Sequence, residues 1–173
     1  MVDSLSIAWC DTPLRATELA DFFAANVGSD YISHAELQGG RALSPTEWRS
    51  DLREILRAEI EPRLIAGSPG PDGKPIAIAE QDGALGALAY VTFAGSAPVP
   101  FAVIEDLIVT SALRGHGVGK AVIDWIATQA RAQGIRRLFL ESGITNKRAH
   151  DFFEREGFRP VSMVMMKSLD RGG

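Results

Sequence analysis

Residues 105–125, EDLIVTSALRGHGVGKAVIDW, constrain the fold of this chain more than any other stretch. Val103, Ile104, Leu107, Ile108 and Val109 are β-branched or leucine and suit a buried strand. Residues 110–113 break that pattern, and Arg114-Gly115-His116-Gly117-Val118-Gly119-Lys120 follows. From Val118 onward Val118, Ala121, Val122, Trp125 and Ile126 recur at helical spacing. The stretch therefore reads as strand, glycine-rich loop, helix. The first turn of a helix has unpaired N–H groups and a partial positive charge. With glycines in front of it, a phosphate can lie directly against those N–H groups, with Arg114 and Lys120 adding charge from the flanks. The same glycines would also serve a tight turn that needs them only for its dihedrals.

Two familiar phosphate loops do not fit. A Walker A loop needs glycine and then Ser or Thr where Arg114 and Ala121 stand, and a dinucleotide fingerprint needs a third glycine in place of Lys120. What remains is Arg-x-x-Gly-x-Gly over 114–119. In this pattern, after a strand and before a helix, the chain resembles the GNAT superfamily of N-acetyltransferases, whose acetyl-CoA pyrophosphate loop has this form.

A second block carries the same resemblance. In 141–158, ESGITNKRAHDFFEREGF, Asn146, Ala149, Phe152-Phe153, Glu154-Arg155 and Gly157-Phe158 match the family's asparagine, alanine, aromatic pair, charged residues and Gly-Phe. The likeness covers about 101–160, and the N-terminal third matches only in its order of elements.

Composition supports an ordinary globular chain. It has 173 residues, 46% hydrophobic and 23% charged, which predicts one domain over 1–173 with a full core. The formal net charge of −4 argues against nucleic acid or an anionic membrane as partner and leans towards a cationic substrate. Cys10, the single cysteine, is expected to be a small buried residue; it excludes an internal disulfide and a cysteine metal cluster. Asp3 replaces the basic start of a leader, and no segment has the length of a membrane span, so a cytoplasmic protein is expected.

In chain order, Leu5, Ile7 and Trp9 alternate in a first strand. Asp11-Thr12-Pro13 opens a helix to about Asn26, with Leu14, Leu19, Phe22, Phe23 and Val27 apolar. Residues 30–41, with Tyr31, His34, Glu36 and Arg41, read as a polar loop, a short solvated helix or a substrate-facing loop. Ser44-Pro45-Thr46-Glu47 predicts a capping box and a helix to about Ile60, burying Trp48, Leu52, Ile55 and Leu56, with Arg49, Asp51, Arg53, Glu54, Arg57 and Glu59 solvated and Pro62 stopping or bending it. Residues 67–75 form a turn. Residues 76–79 and 85–93 make a hairpin at Asp82-Gly83. A strand over 101–109, a helix over 117–133, a strand over 136–140, a helix over 146–156 and a last strand over 161–169 follow. This is an α/β fold with mixed strand directions. The resemblance specifies it as a largely antiparallel central sheet of six to seven strands with about four helices.

The resemblance also implies a wedge where the 103–109 and 136–142 strands diverge. Pantetheine would enter it and pair with the backbone of Leu107, Ile108 and Val109. The pyrophosphate would sit on amides of Gly115, His116, Gly117, Val118, Gly119 and Lys120, and Phe153 would lie beside the coenzyme. Asn146 would face the pantetheine or thioester, cap its helix, or do both. Tyr31 and Glu36 are the substrate-side candidates, and no metal is expected.

Acetyl transfer needs a neutral amine, a donor for the thioester oxygen and a route for the leaving thiolate. The resemblance implies that amides of the diverging strand near Leu107 would be the donor. A carboxylate partly desolvated in a cleft can act as base, which selects Glu105, with Asp106 as alternative. Strand alternation predicts that these two point to opposite faces. Many family members place a tyrosine, their proposed acid, where this chain has Phe153. Ser142, His150 or Tyr31 would then serve, or the thiolate leaves unassisted. The expected activity is acetylation of a primary amine of a small molecule by a protein that is often dimeric in this family. The alternatives are a non-catalytic CoA-binding module and a protein N-acetyltransferase.

Overall fold

The computed structural model describes residues 4–67 and 69–169. Asp3, on which the no-leader expectation rests, and Ser68, in the 67–75 turn, lie outside the described residues. The strands are β1 (Leu5–Cys10), β2 (Ala42–Ser44), β3 (Glu47–Trp48), β4 (Ile76–Gln81), β5 (Ala84–Ala94), β6 (Phe101–Val109) and β7 (Leu138–Leu140). The helices are α1 (Ala16–Asn26), α2 (His34–Gln38), α3 (Leu52–Ala66), α4 (Val118–Ala132) and α5 (Lys147–Arg155). Five strands form the main sheet in the order β1-β4-β5-β6-β7, and β2-β3 is a separate two-stranded hairpin. The first three pairings are antiparallel and β6-β7 is parallel, so the mixed α/β sheet is as expected, with five rather than six or seven strands in it.

Each face of the sheet buries its own core. On one face Leu19 and Phe23 of α1 and Leu56, Ile60 and Leu64 of α3 meet Ile76, Leu88, Tyr90 and Ile108. On the other, Val122, Ile123 and Ile126 of α4 meet Ala77, Ala89, Val91 and Ile104, with Phe152 and Phe153 of α5 packed beside them. Each large aliphatic side chain so enclosed contributes about 1.5–3 kcal/mol by leaving water. The β4-β5 turn is as the sequence predicts: Asp82 and Gly83 both have positive φ, 52° and 80°, which matches the twist of a two-residue hairpin.

Several expectations are corrected. Ser44-Pro45-Thr46-Glu47 does not cap a helix but turns the β2-β3 hairpin, with the Thr46 amide donating to Ser44 Oγ at 3.3 Å. A Ser-Pro pair suits a turn as well as a helix start, and Trp48 decides between them by donating Nε1 to the Gly28 carbonyl, 3.2 Å away. The helix begins only at Leu52 and continues through Pro62 to Ala66, because Leu56, Ile60 and Leu64 keep one apolar stripe on the sheet. The capping box lies instead at Ser33, whose amide and hydroxyl both donate to Glu36. Leu14 is exposed, since a 3₁₀ turn over Pro13–Arg15 precedes α1 and rotates it outward. Residues 161–169 form no strand.

Two irregularities position the site. Tyr90 pairs with Asp106 and Val91 with Ile104, which leaves Glu105 opposite no residue of β5 as a bulge. The second is the end of β7. Its pairing stops at Ile104–Leu140, whereas β6 runs on to Val109. From there the two strands are no longer bonded, and a gap opens in the sheet.

Candidate active site

The gap is the mouth of a cavity of about 540 Å³. Leu107, Ile108 and Val109 form one wall, Leu140, Glu141 and Ser142 the other. The glycine loop closes one end, α5 supplies Asn146, Phe152 and Phe153, and Tyr31, Ser33 and Glu36 close the other end. Such a volume is within the range of small-ligand sites.

The loop is open for an anion. Gly115 and Gly117 have φ of 80° and 82°, a left-handed conformation that favours glycine, and a Cβ at either would meet nothing within 4 Å. The strain of that conformation, not crowding, is what selects glycine there. Gly119 differs: its Cβ would come within 3.2 Å of Phe152 Cζ. The Arg114 amide donates to Ser111 O and the His116 amide to Leu113 O. Among the described residues, the amides of Gly115, Gly117, Val118, Gly119 and Lys120 have no acceptor, and no side chain caps α4.

The flanking cations are engaged within the protein. Arg114 donates Nε to Val109 O at 3.1 Å and Nη2 to Asn26 O at 2.6 Å, tying the end of α1 to the end of β6. Lys120 pairs with Asp124 at 2.8 Å and Glu156 at 3.2 Å, which raises its pKa. His116 and Val118 do not line the cavity; the His116 ring turns to Arg114 O, and Val118 is buried in the α4 core. Asn146 does cap its helix, accepting from Ala149 N at 3.2 Å, and also lines the cavity. Phe153 meets the Phe152 ring at a tilt and the Phe158 ring edge-on.

The bulge overturns the expectation that Glu105 and Asp106 face opposite ways. It shifts the alternation by one residue, and both carboxylates lie on the α1/α3 side. Glu105 pairs with Arg63 of α3 and accepts from Thr92 Oγ1 at 2.9 Å. It also lines both the wedge and a second cavity of about 710 Å³. Asp106 is 3% exposed; both its oxygens accept from Arg41 Nη1 (3.0 and 3.1 Å), and one accepts from the Tyr31 hydroxyl (2.7 Å). Burial pushes the Asp106 carboxyl above the usual carboxylate range, against the opposing pull of Arg41 and Tyr31. Burial, then the Asp106 charge, pushes the Tyr31 phenol well up.

The pairings of Arg41, Glu59, Arg63 and Glu141 escaped the sequence reading. Arg41 stacks over Phe23 and Tyr90 and binds Glu59 at 2.6 Å as well as Asp106, so Glu59 is not part of a solvated face. Arg63 lies over the Tyr90 ring, 5.0 Å from its centre. Glu141 accepts from Ser33 Oγ at 2.9 Å and Ala35 N at 3.1 Å. A signal existed for two of them: Glu59 and Arg63 sit three residues after Leu56 and Ile60, on the edge of the buried stripe of α3. Of the candidate acids, Tyr31 and Ser142 line the wedge and His150 does not.

The family model for the acetyltransferase (GNAT) family matches residues 41–158. The chain belongs to that family. It is 30% identical over 66 residues to an aminoalkylphosphonate N-acetyltransferase of Salmonella typhimurium, covering 38% of this chain and 43% of that protein. It is 31% identical over 67 residues to a glucosamine 6-phosphate N-acetyltransferase of Arabidopsis thaliana, covering 39% and 43%. The matches thus span less than half the length of these curated relatives. In fold, it is similar to an aminoglycoside N-acetyltransferase solved in complex with CoA, at TM-score 0.68 and 15% identity over 99% of this chain and 98% of that one. The solved Arabidopsis thaliana glucosamine-6-phosphate enzyme gives 0.63 at 20% identity, over 97% and 100%.

Proposed function

We propose that residues 1–173 act as one acetyl-CoA-dependent N-acetyltransferase domain that transfers acetyl directly to a primary amine of a small molecule. The observation that carries this reading is the set of unpaired amides at Gly115 and Gly117–Lys120, opening onto a cavity that Glu105 also lines. Left-handed glycines, free N–H groups and a gap beside β6 fit a diphosphate followed by a narrow chain. The amides of Gly115, Gly117, Val118, Gly119 and Lys120 would hold the diphosphate, and the β6 backbone over 107–109 would pair with the pantetheine arm. Acetyl-CoA supplies the activated acetyl group.

The chain's own residues do the rest. Glu105, between the two cavities, takes a proton from the incoming ammonium, directly or through water, so that the amine attacks neutral. The Leu107 amide donates to the carbonyl oxygen as negative charge gathers there. Asp106 is a positioning residue: it fixes Tyr31 and Arg41 from below. Tyr31 donates its proton to Asp106 and His150 lies off the cavity, so the thiolate leaves unassisted, the remaining amine proton passing to water, or Ser142 relays that proton from the reacting nitrogen to the sulfur. The acceptor enters through the second cavity. Its lining has six carboxylates (Glu36, Glu59, Asp72, Glu105, Asp106, Glu141) against Arg41, Arg63 and Lys74, a balance that attracts a cationic amine.

The test is CoA release, followed with a thiol reagent, across a panel of amines that includes aminoalkylphosphonates, amino sugars and polyamines. Turnover with at least one amine is expected. Tight acetyl-CoA binding without turnover on any of them would favour a non-catalytic binding module, the reading that Phe153 supports. Phe153→Tyr then separates the two: a large gain in rate indicates lost catalysis, and little change indicates that the acid lies elsewhere.

A further inference from the structure

The anion loop is short of charge. The open amides at Gly115 and Gly117–Lys120 offer dipoles but no full charge. The cations beside them are engaged, Arg114 by two carbonyls and Lys120 by Asp124 and Glu156. Coenzyme A has a ribose 3′-phosphate besides its diphosphate, and a phosphomonoester carries about two negative charges near neutral pH. No free cation of the loop is left to meet it.

Two cations on α5 are uncommitted. Arg148 and Arg155 both line the wedge cavity. Among the described residues neither has a hydrogen-bond or ion-pair partner. With Phe152 they stand at i, i+4 and i+7 of one helix, a single stripe. Phe152 fixes where that stripe lies: a Cβ on Gly119 would come within 3.2 Å of its Cζ, so the ring rests on the loop. The two arginines therefore stand one turn to either side of the point where α5 touches the anion loop, roughly 10 Å apart along the axis. Helix stability does not account for the pair. The helix dipole favours a cation in the last turn, as at Arg155, but opposes one in the first turn, as at Arg148.

We propose that Arg148 and Arg155 clamp the ribose 3′-phosphate of coenzyme A, so that this protein distinguishes CoA from its 3′-dephospho form. The inference rests on the coenzyme reading above. It adds a selectivity that the loop amides cannot supply, because both forms carry the same diphosphate. Arginine suits the task, since its planar fork gives two parallel N–H···O bonds to one phosphate. Both side chains are exposed, so the contact is screened by salt.

Calorimetry with CoA and 3′-dephospho-CoA, at low and at high ionic strength, tests this. The wild-type chain should bind CoA at least about tenfold more tightly at low ionic strength, with the margin narrowing as salt is added. Arg148→Ala/Arg155→Ala should bring CoA down to the level of dephospho-CoA and leave dephospho-CoA within about twofold. Lys147→Ala removes the same charge from the same helix at a position that does not line the cavity, and should keep the margin. Unchanged circular dichroism is expected in all three variants; if the double variant is unstable, Arg148→Gln alone should lose about threefold of the margin or more. Equal binding of the two ligands by the wild-type chain overturns the proposal while the coenzyme reading stands. Equal loss of both ligands in the double variant overturns it too, because the arginines would then serve the diphosphate. Binding of neither ligand by the wild-type chain removes the coenzyme reading itself, and the clamp with it. None of these readouts depends on acetyl transfer.

Discussion

The two ends of the wedge are built on opposite plans. At the glycine loop, five successive or near-successive amides have no partner within the described residues. At the bulge, Glu105 is paired with Arg63, while Asp106, Tyr31, Arg41 and Glu59 are linked through Asp106 and Arg41; among the described residues there, Arg63 Nη1 and the Tyr90 hydroxyl are buried without a partner. An exposed helix terminus can leave amides open because water serves them until a ligand arrives. Buried charges cannot be left open, because an unpaired one would cost several kcal/mol. The loop end is therefore an open array of donors and the bulge end a set of charges already paired, a contrast that suits the proposed division between coenzyme and acceptor.

That contrast can be broken or sharpened by substitution. The largest effect is expected from Glu105→Gln: kcat should fall by about 10²–10⁴, the usual worth of a general base. CoA affinity by calorimetry should stay within about twofold, because no loop amide is touched. Equal loss of both would place Glu105 in folding or binding instead. Next comes Arg41→Met. It leaves Asp106 and Glu59 facing each other without their cation and should lower unfolding free energy by about 3–5 kcal/mol, read from urea titration. A loss below 1 kcal/mol would show that the network is softer than its geometry.

Gly117→Ala should cost about 1–2 kcal/mol through its left-handed φ and also weaken CoA. Gly134→Ala, with φ of 77° at the far end of α4, is the control: similar instability with unchanged affinity separates strain from binding. The smallest effect is expected at Lys120→Ala, whose ammonium already has two carboxylate partners; CoA affinity should change less than about threefold. A larger loss would mean that Lys120 leaves Asp124 and Glu156 for the phosphate.

The raised Asp106 carboxyl gives the network a pH signature. Because its folded pKa lies above the unfolded value, the folded chain binds the proton more tightly. Its contribution to stability is full below the ordinary carboxylate range and is lost as pH rises through the raised value. Carboxyl ¹³C titration should find Asp106 above that range; a depressed value would mean that Arg41 and Tyr31 outweigh burial.

The failures of sequence reading share a cause. Ser44-Pro45-Thr46-Glu47 and Ser33-His34-Ala35-Glu36 both fit the capping-box pattern, and local chemistry alone does not tell them apart. Trp48 reaching Gly28, twenty residues away, decides the matter. Pro62 should end a helix by its missing N–H, but the stripe of Leu56, Ile60 and Leu64 against the sheet outweighs one lost bond. The 161–169 stretch has the alternation of a strand but lies against no edge of its own sheet.

By itself, the sequence determined the strand–glycine loop–helix unit, the Asp82-Gly83 turn and the family pattern of 141–158. Each depends on dihedral preference or on periodicity over a few residues, and those properties travel with the local chain. Only the tertiary structure decided that Glu105 bulges, that Glu105 and Asp106 share a face, and that Arg41 and Arg63 neutralise them. A bulge is set by the register of two strands, and an ion pair across 65 or 42 residues has no local trace. The chemistry of the loop could be read one residue at a time, whereas the chemistry of the carboxylates exists only once β5, β6 and α3 are assembled.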